Sequence, residues 1–240
     1  MSPENTALVQ MALRWVHLVA GIVWIGFLYF FNLVNVPFMK ELDPAMKGKV
    51  FPALMKRALF WFRYSAFVTV FAGIWYWMTI VGADLRNARA LSPGDHISGG
   101  MAIGGFFLVW TIAWFLCSLV TKGKLQLPVV LLAYALIVSA ASYAYLQMNS
   151  HGWESNRLLC IGIGGGMGWI MIFNVWGIIW RHSKRLIAWT EKSTAEGSPL
   201  PPEAALLAHE VFLVSRANFA LSFPMLFFMA AASHLPLFSA

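Results

Sequence analysis

His17 and His234 are the side chains of this 240-residue chain whose type and placement best suit metal chemistry. Each stands in a long apolar stretch, where an ionisable group is expensive and marks a functional site by default. Two neutral imidazoles presented from different helices at one depth suit axial ligation of a b-type haem iron, which needs no sequence motif. Gly21 follows His17 by one turn and leaves room for a flat macrocycle. His151, in the loop Asn149-Ser150-His151-Gly152, competes with His234 as second ligand, and His96 sits on another connection at the same end. The alternative is that His17 makes a polar contact between helices while His234 and His151 are solvated.

A second set of polar residues gathers toward the other end: Asn32, Asn35, Arg63, Asn174, Arg216 and Asn218. Arginine forks match anionic oxygens, and asparagine amides both donate and accept. Arg216, Asn218 and Asn174 are therefore the candidate binding residues for a planar, anionic, hydrogen-bonding ligand. Interhelical hydrogen bonds plus snorkelling arginines would explain the same residues. The glycine run Gly162-Ile163-Gly164-Gly165-Gly166-Met167-Gly168 misses the phosphate-loop register and fits small-xxx-small helix contacts, or a place for a cofactor plane. Cys117 and Cys160 are too few for a disulfide framework or a four-thiolate metal site, and no CxxCH is present for covalent haem.

The elements that must position these residues follow from composition. The chain is 60% hydrophobic and only 11% charged, with a mean hydropathy of +0.69. A soluble domain carries about 25% charged residues, so a soluble enzyme and a disordered chain are both excluded. Six stretches reach the ~20 apolar residues a bilayer-spanning helix needs: roughly Leu8–Phe38, Ala58–Val81, Met101–Val120, Leu127–Met148, Leu158–Trp180 and Val211–Leu235. No run of alternating ten-residue segments suggests a membrane β-barrel. The expectation is an all-α polytopic membrane bundle of six helices in a single domain, residues 1–240, with no internal repeat.

Lysine and arginine set the orientation. Lys40, Lys47, Lys49, Lys56, Arg57, Arg63, Lys122, Lys124, Arg181, Lys184, Arg185, Lys192 and Arg216 lie on one side, against Arg14, Arg86, Arg89 and Arg157 on the other. The richer side is cytoplasmic by the positive-inside rule, so both termini lie outside. The net charge of +7 thus orients loops and does not point to nucleic acid. The start of the chain has no basic n-region, so the first apolar stretch reads as a retained span and not a leader. His17 lies about 33 Å of helix from Met39, and His234 about 27 Å from Arg216, which puts both histidines toward the outer face. The helical phase, about 100° per residue, places Gln10, His17, Gly21, Trp24 and Asn35 on one stripe.

The segment Arg14-Trp15-Val16-His17-Leu18-Val19-Ala20-Gly21-Ile22-Val23-Trp24-Ile25-Gly26 resembles the first-helix signature of the membrane-bound urate oxidase family. So do Ser215-Arg216-Ala217-Asn218, the following Leu221-Ser222-Phe223-Pro224-Met225-Leu226-Phe227-Phe228-Met229, and the closing Ser233-His234. The stretch from Gly166 to Val175 is similar to the family's fifth-helix region. The resemblance implies a protein of the bacterial inner membrane that oxidises urate to 5-hydroxyisourate and passes electrons to a cytochrome c; the b-type haem read from the histidines would stand on that route. Long members carry that cytochrome at the C-terminus, so here the acceptor is expected to be a separate protein. This chain has Ala217 and Cys160 where the family pattern has histidines, which removes any second haem or proton transfer that those histidines serve. The rival expectation is an accessory subunit of a larger respiratory or photosynthetic membrane complex. A solute or proton pathway is weaker, since there is no inverted repeat and few acidic groups.

Overall fold

The computed structural model describes residues 3–92, 98–122 and 125–238. Six helices among them are long and apolar enough to cross a bilayer: α1 Glu4–Glu41, α2 Pro44–Leu91, α3 Gly100–Lys122, α4 Leu127–Gln147, α5 Asn156–Glu196 and α6 Glu203–His234. No strand occurs among the described residues. The all-α bundle expected from the apolar runs is the fold, although α2 and α5 run well beyond the expected spans.

With 48 residues, α2 is about 72 Å long at 1.5 Å per residue, and α5, with 41, is about 62 Å. A bilayer core is only about 30 Å thick, so both must project from it. The basic stretch around Lys47, Lys49, Lys56 and Arg57, which reads as a connection in sequence, is the first part of α2. Asp43 caps it by accepting from the Met46 amide at 2.9 Å. Likewise α5 runs past Trp180 to Glu196 and stops at Gly197, whose φ of 67° is the left-handed conformation that ends helices. The two overhangs pack together. Lys56 pairs with Glu191 at 2.5 Å, and the Thr194 hydroxyl reaches the Gly48 carbonyl at 3.5 Å.

The glycine run of α5 is what lets three other helices close on it. A β-carbon at Gly162 would collide with the Tyr145 ring of α4, and one at Gly166 with the Trp110 indole of α3. At Gly164 it would meet the Met225 carbonyl of α6 at 3.1 Å. Close backbone approach through small residues, and not phosphate binding, is thus the use of this run. On the remaining side the Trp77 indole of α2 donates to the Leu158 carbonyl at 3.2 Å.

Two π-helical segments interrupt the ladders, Phe30–Asn35 in α1 and Asn174–Ile179 in α5. Asparagine amides serve the carbonyls just before each: Asn32 Nδ2 donates to Leu28 O at 2.8 Å, and Asn218 Nδ2 of α6 donates to Met171 O at 3.1 Å. Such segments recur at functional sites, and the sequence gives no periodicity that reveals them.

Overpacking at Gly166 should be destabilising. Gly166→Val is expected to cost about 1–3 kcal/mol, read as a lower thermal unfolding midpoint in detergent. Gly104→Val, where an added β-carbon meets nothing within 4 Å, should leave the midpoint unchanged.

Candidate functional site

Helices α1 and α2 run antiparallel, and their facing polar residues match in order. Gln10 Nε2 donates to Thr79 Oγ1 at 3.1 Å, the Arg14 guanidinium lies over the Tyr76 ring at 5.7 Å, and His17 Nδ1 bonds the Thr69 carbonyl at 2.8 Å. Gln10 and His17 belong to the stripe that helical phase assigns to α1, and Arg14 lies between them. A carbonyl only accepts, so Nδ1 of His17 carries the proton and Nε2 keeps a bare lone pair. Metal-binding histidines are commonly fixed in this way. The ring lies against the α2 backbone because residue 73 is glycine: a β-carbon there would stand 2.8 Å from Cε1 and Nδ1 of His17.

The imidazole lines a cavity of about 500 Å³ between α1, α2, α5 and α6, within the ~300–1,000 Å³ usual for ligand and cofactor sites. Trp24, Trp77 and Phe106 supply aromatic wall, Gly165 and Gly168 a flat one on α5, and Met225 and Met229 the α6 side. Polar groups are few. Arg14 and Arg157 line the cavity at the Tyr76 ring, Arg157 lying 5.5 Å from its centroid. Two buried donors aimed at no partner, Trp24 Nε1 and Arg157 Nε, belong to residues of this lining.

The other expected ligands lie elsewhere. His234 is exposed at the end of α6, next to Ser233, which does line the cavity. His151 lines a separate groove of about 690 Å³ with Asp84 and Trp153, and its Nδ1 pairs with Glu154 at 2.7 Å. His96 falls outside the described residues. His182 pairs with Glu210 at 3.4 Å, far along α5. Neither His234 nor His151 is among the residues that line the His17 cavity. Among the described residues no three His, Cys, Asp or Glu side chains gather as a metal site. Iron chemistry at His17 would need a group that brings most of its own ligands.

The second expected cluster separates into pairs. Asn174 Nδ2 donates to Asn218 Oδ1 at 2.8 Å, both side chains fully buried, and Asn218 spends its own amide on Met171 O. Arg216, two residues from Asn218 and so about 200° around the helix, lies instead over Phe212 at 5.4 Å. Arg63 sits in an aromatic box, 3.7 Å from the Trp180 ring centroid, and Asn32 reaches Ser215 at 3.1 Å. Asn174 and Asn218 act here as an interhelical lock, with Asn174 Oδ1 left unpaired. Thr69, Gly73, Tyr76 and the pairing of Arg14 with Arg157 escape a sequence reading. The available signal was two arginines on the side where basic residues are scarce, one of them three residues before His17.

The model of the urate oxidase N-terminal family matches residues 42–240. The chain belongs to the urate oxidase N-terminal family. The match takes in α2 to α6, hence Thr69, Gly73, Tyr76, Arg157, Asn174 and Asn218, while His17 and Arg14 on α1 precede it. No curated protein and no solved structure matches the chain. Family membership therefore rests on the helices that form three walls of the cavity.

If the asparagine pair locks α5 to α6, a double-mutant cycle of Asn174→Ala and Asn218→Ala should give a coupling of about 0.6–1.7 kcal/mol, measured by thermal unfolding in detergent. Strict additivity would show that the two amides act independently.

Proposed function

We propose that this chain is a multi-pass redox protein of a bacterial cytoplasmic membrane. It would hold one b-type haem in the His17 cavity and take part in the oxidation of urate to 5-hydroxyisourate, with electrons leaving to a c-type cytochrome on the outer side. The observation that carries the reading is His17, whose proton on Nδ1 is committed to Thr69 O while its ring lines a large aromatic- and glycine-walled cavity.

The residues present fit a haem. A single imidazole with a fixed tautomer suits an iron whose other in-plane ligands come from a macrocycle. Gly21 and Gly26 of α1 and Gly165 and Gly168 of α5 line the cavity without side chains of their own, between the aliphatic Leu18, Ile22, Ile25 and Ile161. Trp24 Nε1 is a buried donor still without an acceptor, the kind of orphan that points to a missing partner. When bound, the haem would supply one-electron transfer.

The chain's own part is positioning and exclusion. Thr69 O holds the imidazole ring and its proton, which raises the basicity of Nε2 toward a metal. Gly73 lets the ring sit flush against α2, and Trp24, Trp77 and Phe106 give the cavity an apolar wall. In the overall reaction urate gains one oxygen from water and loses two electrons and two protons. The family to which α2–α6 belong supports urate as the reductant, and the excess of lysine and arginine at the opposite end supports an outward-facing His17.

The test is a visible spectrum and pyridine haemochrome of the purified protein, followed by anaerobic addition of urate. The expected result is about one haem b per chain, reduced by urate. A protein purified without haem, which gains no Soret band when haem is added, would falsify the cofactor. A haem that stays oxidised with excess urate would remove urate as the direct donor.

A further inference from the structure

We infer that Arg14 and Arg157, both held at the Tyr76 ring, form a clamp for the two carboxylates of the ligand in the His17 cavity; it rests on the reading of that ligand as haem b. Two guanidinium groups lie 5.7 and 5.5 Å from one ring centroid, coming from helices separated by most of the sequence. Both residues line the cavity. Among the described residues neither guanidinium has an ion pair or a hydrogen bond, and Arg157 Nε is buried with no acceptor. Two like charges gathered at one aromatic ring repel each other, and cation–π contact with a single shared ring offsets little of the cost. A dianion at that place reverses the sign of the interaction.

The chemistry narrows the dianion. Guanidinium forks bind carboxylates with bidentate, charge-assisted hydrogen bonds, and Arg157 Nε is a donor already turned from solvent. The cavity beside the clamp is largely apolar and is lined by His17, three residues and hence one helical turn from Arg14. A ligand that fits must therefore be flat and apolar, carry a metal in its body, and bear two carboxylates on one edge. A haem with free propionates has this pattern. The nearby acids do not compete: Glu154 is taken by His151, and Asp84 accepts from the Ser155 amide at 3.0 Å.

The clamp also gives a use to two of the four arginines at this end, Arg86 and Arg89 being the others. Arg14 and Arg157 stand on the side that the positive-inside rule leaves poor in cations. Snorkelling to lipid phosphate is the competing use of such arginines, and the experiment separates the two.

The full-length protein, stripped of haem in detergent, is titrated with haem b and with haem b dimethyl ester, whose propionates carry no charge. Soret absorbance reads the binding of each. Wild type is expected to bind the free acid at least about tenfold more tightly than the ester. Arg14→Gln and Arg157→Gln should each weaken the free acid about tenfold and leave the ester unchanged, and Arg157→Lys should recover part of the loss. Variants that bind the free acid as wild type does, as lipid snorkelling would give, overturn the clamp. So does an equal loss for acid and ester, which marks a structural role. Wild type binding both porphyrins equally overturns the clamp alone, whereas wild type binding neither overturns it together with the haem reading.

Discussion

The hydrogen bond from His17 Nδ1 to the Thr69 carbonyl ties sequence, packing and chemistry together. It requires α1 and α2 to touch closely enough for a side chain to lie on a backbone, and the glycine at 73 permits that approach. It fixes the tautomer, so that the free nitrogen of the ring is an acceptor. It also sets the register of the antiparallel pair, since Gln10 with Thr79 and Arg14 with Tyr76 follow from the same alignment. An imidazole in apolar surroundings is costly unless bonded, and here Nδ1 is bonded within the fold while the ring lines a cavity.

The scaffold behind that cavity is α5. Its glycines remove side chains where Tyr145, Trp110 and the α6 backbone approach, so large aromatic residues on neighbouring helices fill the space. The same small-residue surface continues as Gly165 and Gly168 on the cavity wall. Below the cavity the Asn174–Asn218 bond closes α5 to α6 beside a π-helical segment. Interhelical contact in a bilayer depends on packing and hydrogen bonds more than on hydrophobic burial, and both occur along this one helix.

The six spans were legible because apolar length is a strong signal and charge is scarce in them. The projecting parts of α2 and α5 were not: their basic residues look like connections, and the Lys56–Glu191 pair that joins them spans 135 positions of sequence. His17 stood out as an expensive residue, whereas Thr69 and Gly73 look ordinary until α1 is laid against them. Matching His17 with His234 by depth ignored that α6 presents Met225 and Met229 to the cavity and leaves His234 exposed. Grouping Arg216 with Asn218 overlooked helical phase, which sets residues two apart on opposite faces. Asn174 and Asn218 do meet, and their amides are spent on each other and on Met171 O. Arg14 and Arg157 counted only toward orientation, because no sequence rule shows two distant arginines meeting at one tyrosine.

The most direct measurement on the central role of His17 is chemical rescue. His17→Gly protein, purified and titrated with haem b, should give no bound Soret spectrum alone and should regain one when imidazole is added, since the vacated space admits the free ring. Wild-type haem affinity in His17→Gly without imidazole would contradict His17 as the ligand.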